Sequence, residues 1–289
     1  DTHTQHMISV DTLQELKAVE SDCTIQLTSD IDFSNHSGSL FNVFTGILDG
    51  NGYTVHNVSS SIIEQLKGWK IKDIYVKDCV AIASTSPYGI LCEKGHGHIS
   101  NVHLEDCTIT VEQNRANKVG GLVGKFEKGL IKNCSFTGKV TSEGHDIAGL
   151  VGDSSCIDYA NEESNMPSDT TDQIHILNCE VDVVIDGGSS VGGIVGRSVN
   201  TYVFDCKAEG RVSGGEYTGG ISGHSTRNTD QQKTAIKNCQ NCAYIESKGP
   251  AGGIVGLSRV ELCRNQNKAE VIGESTVGGI CGIIEKDNI

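Results

Sequence analysis

A chain of 289 residues carrying 37 acidic and 23 basic side chains has a formal charge of −14, which argues against nucleic acid, whose phosphates need a basic stripe, and against anionic membrane surfaces. Glycine is abundant (35) and proline scarce (3), which suits many tight turns in a scaffold that keeps its backbone paired, and 5% aromatics make the core aliphatic. No apolar run approaches the roughly 18 residues of a membrane-crossing helix, so the chain is not expected to span a bilayer.

Asp11–Glu20, DTLQELKAVE, predicts a short amphipathic helix, with Asp11 as N-cap and Leu13, Leu16 and Ala18 or Val19 on its apolar face. Cys23–Phe33 alternates like a strand, broken at Asp30–Asp32. Phe44–Val58 reads as strand, turn, strand, with Asp49-Gly50-Asn51-Gly52 supplying turn residues that tolerate positive φ. Residues 1–22 are therefore expected to be an N-terminal segment with a capping helix, and 23–289 one continuous body.

A repeat then organises the chain. VGGLVG at Val119–Gly124 returns as IAGLVG at Ile147–Gly152, VGGIVG at Val191–Gly196, TGGISG at Thr218–Gly223, AGGIVG at Ala251–Gly256 and VGGICG at Val277–Gly282. Between copies lies a segment ending in cysteine: Cys79, Cys107, Cys134, Cys179, Cys206, Cys239 and a worn copy at Cys263. Cys79, Cys107 and Cys134 are 28 and 27 residues apart, and Cys179 and Cys206 are 27 apart. The longer gaps contain polar insertions at about 153–173 and 225–234. A fixed period with localised insertions means stacked supersecondary units. A unit of this length without a helical face fits three short strands, such as GGLVGKF, GLIKNCSF and TGKVTSE. Alternation turns Leu122, Ile131 or Leu130, and Val140 toward a common interior. The fold class is therefore all-β, a single parallel β-helix with three short strands per coil. It is read as right-handed, the near-universal hand of parallel crossovers.

Stacked parallel strands place the seven cysteines about 4.8 Å apart with parallel side chains, whereas a disulfide needs converging Cβ atoms. The sequence thus predicts a column of buried free thiols. Cys23, Cys92, Cys156, Cys242 and Cys281 remain able to form one or two bridges. The residues preceding the column, Asp78, Asp106, Asn133, Asn178, Asp205 and Asn238, predict a polar ladder at one turn, broken at Leu262.

These motifs resemble the GLUG-motif repeat of bacterial and archaeal surface proteins. The LQELKAV…IQLTSDIDF…FTGILDGNGYTVHNV stretch resembles the segment that opens the β-helix in such proteins and in the N-terminal regions of IgA-cleaving metallopeptidases. The resemblance spans roughly Asp11 to Ile289 and implies a β-helix. It does not carry the peptidase activity here, since no HExxH zinc motif exists: no histidine is followed by glutamate.

Signals for other chemistry are weaker. Gly95-His96-Gly97-His98 is similar to the Gly-His-Gly turn of polygalacturonase-type β-helices, but Asn228-Thr229-Asp230 follows it instead of preceding it, and the Asp-Asp pair is missing. His96, His98 and His103 have a spacing compatible with a metal, although a polar turn accounts for them. Gly120–Lys125 is no phosphate loop, because Phe126 stands where Ser or Thr is needed. The insertion around Asp158, Tyr159, Glu162 and Glu163 is acidic and expected to stand out from a rigid scaffold, the place where binding residues concentrate. Asn35, Asn57 and Asn133 open glycosylation sequons.

The resulting expectation is a secreted or cell-surface, non-enzymatic module serving as stalk, adhesin or fibre subunit. It uses no cofactor or metal, has no catalytic residues, and takes a carbohydrate or protein ligand but no nucleic acid. The alternative is a polysaccharide-acting lyase or glycoside hydrolase with a groove on one face. The C-terminal coil, with Ile280, Ile283 and Ile284 still apolar, is expected to be covered by further chain or by head-to-tail self-association.

Overall fold

The computed structural model describes residues 7–112, 116–155, 173–227 and 234–285. Among them are 31 strands and one short helix, and the strands form a 26-stranded sheet and a 5-stranded sheet. Each coil pairs with the next in parallel register, as in Ser135–Thr141 with Glu180–Asp186 and Glu180–Asp186 with Lys207–Ser213. The molecule is a parallel β-helix.

One coil illustrates the build: Ser189–Gly192, Val195–Val199, Thr201–Phe204 and Lys207–Gly214. The three expected segments are present. The first is bent, however, so that VGGIVG supplies a short strand, an arch and the start of a longer strand. The short strands of successive arches stack into the 5-stranded sheet, and the three longer strands form what we call the first, second and third sides. The bend depends on close backbone approach. A Cβ on Gly121, the second glycine of its arch, would lie 2.2 Å from the Phe136 ring and 2.3 Å from the Gly149 carbonyl oxygen. That glycine lets a side chain from the opposite wall reach the arch.

Alternation fills the interior. Leu122, Ile131 and Val140 are fully buried, and Leu130 points outward. One interior column changes character along the axis. Phe44, Leu66, Gly95 and Phe126 stack in register and are followed by Ser154, Ser198, Ser225 and Ser258. All four serines are fully buried. Ser198 bonds Ser225 at 3.0 Å and Ser154 bonds Thr201 at 2.6 Å, so the hydroxyls satisfy one another.

At the N-terminus the parallel sheet begins before the helix. Met7–Val10 pairs with Thr24–Leu27, and the chain between them forms the helix Leu13–Ala18. Thr12, not Asp11, is the N-cap: its hydroxyl accepts from Glu15 N at 3.1 Å, while Asp11 N donates to the Glu15 carboxylate at 2.8 Å. Val10 is fully buried at the end of the strand, which leaves Asp11 to lead out of the sheet. Leu16 enters the core and closes this end.

The thiol column differs from the sequence reading. Cys79 stacks on Cys107, since Lys77 pairs with Glu105 and Val80 with Thr108. Cys134 does not continue that column. Lys132 pairs with Ser100 and Ser135 with His103, so the slot of Cys134 is held by Val102 in the preceding coil and by Ile74 before it. A second column then runs Cys134, Cys179, Cys206, Cys239. The coil after Cys107 is 31 to 32 residues long, and its extra residues shift the register, so the 27-residue spacing to Cys134 is a coincidence. Cys263 lies outside both columns. It pairs in register with Lys237 and is half-buried, while Asn265 takes the slot and accepts from Cys239 N at 2.9 Å. Every cysteine among the described residues is a free thiol.

Candidate functional site

The polar turn residues also form two columns. Asp73, Asn101, Asn133, Asn178, Asp205, Asn238 and Arg264 precede the second-column slot, and Asn57, Asp78 and Asp106 precede the first. All take φ between +51° and +61°. Asn and Asp tolerate this left-handed corner because their short side chains bond locally. Asn178 Nδ2 donates to Asn133 Oδ1 at 2.6 Å, Asn101 Nδ2 to Asp73 Oδ1 at 2.8 Å, and Asn238 to Asp205. Arg264, not Leu262, occupies the corner of the last coil. Asn57 Nδ2 is engaged with Asp32 at 3.0 Å and Ser34 at 3.1 Å. Those hydroxyl and amide donors hold the Asp32 carboxyl down at about 2.

Behind these corners, each thiol of the second column approaches the carbonyl two residues back: Cys134 to Lys132 at 3.3 Å, Cys179 to Leu177 at 3.3 Å, Cys239 to Lys237 at 3.3 Å. Burial pushes the Cys179 thiol well up, which keeps it protonated and unreactive.

His96 is buried and His98 half-buried; Gly95 and Gly97 beside them take φ of +149° and +142°, so the glycines serve the backbone path. His103 is engaged elsewhere, within 2.6 Å of Ser135 Oγ and 2.8 Å of Asn101 Oδ1, and burial lowers its pKa. No group of three or more His, Cys, Asp or Glu among the described residues is arranged to hold a metal. Asp158, Tyr159, Glu162, Glu163, Cys156 and Asn228-Thr229-Asp230 lie outside the described residues. Both insertions leave the same corner, which Asn200 occupies in the coil between them, where the first side turns into the second.

Three features remain, one buried and two on the surface. The first is a carboxylate pair that sequence reading missed. Asp146 and Asp153 are 4% and 1% exposed. Burial, then repulsion from Asp153, raises the Asp146 pKa. Lys118 Nζ lies 3.5 Å from Asp153 and His145 Nδ1 lies 3.2 Å from Asp146, while Arg197 neighbours Asp153 in the next coil. No spacing rule brings these residues together; the arch does. The second is a groove of about 590 Å³ along the corner where the third side ends, flanked by Glu143, Asp186, Glu246 and Glu274 and floored by glycines. Among the described residues Lys248 is the one basic residue in its lining, and Glu246 is paired with Arg211.

The third is the outer face of the second side. Its two outward positions form rows along the axis. One runs Lys70, His98, Leu130, His175, Tyr202, Ala235, Glu261; the other runs Lys72, Ser100, Lys132, Leu177, Phe204, Lys237, Cys263. Rings gather along them: His175 to Tyr202 at 5.8 Å, and Tyr202 stacked on Phe204 at 5.8 Å and 23°. Trp69, 37% exposed, lies 6.2 Å from His98.

Comparison with known proteins places this architecture. Residues 116–141 match the GLUG motif, a span that holds one arch with its following sides. An immunoglobulin A1 protease of Streptococcus sanguinis is 30% identical over 123 residues, 40% of this chain and 6% of that protein. The immunoglobulin A1 protease of Streptococcus pneumoniae is 29% identical over 135 residues, 44% of this chain and 7% of that protein. Zinc metalloprotease ZmpC of Streptococcus pneumoniae serotype 4 is 27% identical over 122 residues, again 6% of its length. The match thus spans only some 6–7% of these curated relatives. A crystal structure from Bacteroides ovatus, provisionally designated an immunoglobulin A1 protease, superposes with a TM-score of 0.57 at 17% identity, covering 98% of this chain and 84% of that one. That likeness concerns the fold. No helix among the described residues is long and apolar enough to cross a membrane.

Proposed function

We propose that this chain is a non-enzymatic β-helix module of a secreted or cell-surface protein, acting as a stalk or adhesin-type element that presents its faces to a carbohydrate or protein ligand. The observation that carries the reading is the continuity of the parallel register from Met7 to Ile284, in which successive coils are committed to stacking. Similarity to short stretches of immunoglobulin A1 proteases supports it, because a segment of that size in a far longer protein is scaffold-sized.

A second reading has one specific observation behind it. Asp146 and Asp153 form a buried carboxylate pair, the kind of arrangement that separates an acid from a base in glycan hydrolysis. Lys118 lies beside one oxygen of Asp153 and His145 beside Asp146, which favours a structural cluster, although Asp153 Oδ1 is buried without a hydrogen-bond partner among the described residues. Product analysis after prolonged incubation with neutral and uronic-acid polysaccharides separates the two readings. No turnover is the expected outcome; turnover abolished by Asp153→Asn would overturn the non-enzymatic reading.

A further inference from the structure

The charge of this molecule is unevenly distributed. The corner groove carries Glu143, Asp186, Glu246 and Glu274. The two outward rows of the second side hold Lys70, Lys72, Lys132 and Lys237, and their carboxylates enter only at the ends. Asp49 precedes Lys72 and lies 3.9 Å from its Nζ; Glu261 ends the first row and lies 3.4 Å from Lys237. Between those ends no acidic side chain occurs in either row. The nearest carboxylates along the second row, Asp73 and Asp205, stand at the adjoining corner and not in the rows themselves. Lys70 and Lys132 are exposed, and neither has a carboxylate partner among the described residues.

Between the lysines lie rings and apolar groups, among them Trp69, His98, Leu130, His175, Tyr202 and Phe204. Burial lowers the His175 pKa, so its ring is neutral at physiological pH and acts as an aromatic face. Seven coils at about 4.8 Å make the strip roughly 30 Å long and two side chains wide. Its rows run along the axis, so a ligand lying on it meets one side chain per coil, a rise comparable with the length of one sugar unit.

We infer that this strip binds a linear anionic polysaccharide along the helix axis, with Lys70 and Lys132 meeting carboxylate or sulfate groups and Trp69, Tyr202 and Phe204 packing against sugar faces. Three observations select this ligand class. The lysines require negative charge. The flat rings suit an apolar face, which a pyranose presents and a duplex, with its bases stacked inward, does not. The strip is two side chains wide, which suits a single linear chain, whereas the phosphates of duplexes and anionic bilayers need a broader basic surface. The inference deepens the reading of the chain as a surface module and rests on it for the ligand's setting.

The test uses the full 289-residue chain with a heparin oligosaccharide, a polyuronate oligomer, neutral dextran, duplex DNA and anionic vesicles as probes, at low and high salt. Binding to one or both anionic glycans, weakening with salt, is expected, and the two glycan arms separate sulfate from carboxylate recognition. The pair Lys70→Glu with Lys132→Glu should weaken it about tenfold or more. Tyr202→Ala should weaken it several-fold with little change in the salt dependence. Lys139→Glu, an exposed lysine on the third side, should leave it unchanged. Circular dichroism of each variant verifies the fold. Equal loss in Lys139→Glu, binding to DNA or vesicles at least as tight as to glycan, or no glycan binding would overturn the inference. Cleavage of a bound glycan would instead overturn the non-enzymatic reading and leave the strip assignment standing.

Discussion

Cys134 illustrates how a residue's role follows from what stacks above and below it. Its slot is held by Val102 and Ile74 on one side and by Cys179 on the other, all buried, so the position asks for a small apolar group. Cys134→Val should therefore change stability by only about 1 kcal/mol. Cys134→Ser should also be mild, about 1 kcal/mol, because the Lys132 carbonyl 3.3 Å from the sulfur can accept the hydroxyl. Cys134→Asp, which buries a charge in the column, should prevent folding. Urea denaturation of the three variants checks this order, and a valine variant destabilised as severely as the aspartate would show that the thiol does more than pack. The small, buried character of these cysteines was legible in the sequence. Their division into two columns was not, because equal spacing in sequence conceals a coil lengthened by residues between Val111 and Lys118, with the register moved to match.

The arch is the element that sequence pattern describes least well. VGGLVG reads as one alternating strand, since nothing in periodicity marks a bend inside an apolar run. The bend becomes visible only when the opposite wall is present: Phe136, paired with Leu104 and Val181, fills the space above Gly121. Gly121→Ala should then destabilise by about 3 kcal/mol, since both a ring and a backbone carbonyl must yield. Gly279, the equivalent glycine of the last arch, faces open space, with nothing within 4 Å of where a Cβ would stand, and Gly279→Ala should be close to neutral. Thermal melts of the two variants make the comparison; similar shifts would refute the packing account of the motif. The same limit explains the surface strip. Lys70, Lys132, Tyr202 and Phe204 are scattered through the sequence and become neighbours only through parallel register, while the acidic insertion, conspicuous in the sequence, lies outside the described residues.

At the scale of the molecule the two ends differ. At the N-terminal end Val10, Leu16, Ile31 and Phe33 are all buried, closed over by the helix and its strand. At the other end Val277 is 41% exposed, Ile280 36% and Ile284 72%, whereas Ile254 and Val255, in the arch one coil earlier, are fully buried. The polar interior is also directional. Asn241 Nδ2 donates to Asn267 Oδ1 at 2.9 Å, and this column traces back through Ala208, Val181, Phe136, Leu104, Val76 and Val55 to Ile31. Head-to-tail stacking of two copies would set Asn267 against a closed, apolar end. The exposed face around Ile280 can more readily meet its own copy across a two-fold axis, and an isologous contact of that kind closes on itself. The sequence predicts cover of this coil by further chain or by head-to-tail self-association; for self-association of the 289-residue chain we propose tail-to-tail pairing in place of a head-to-tail fibre. Light scattering across a concentration series should rise from monomer to dimer and stop there, and Ile280→Lys with Ile284→Lys should keep the chain monomeric throughout. Filaments seen by electron microscopy, or dimers that persist in the double variant, would refute the proposal.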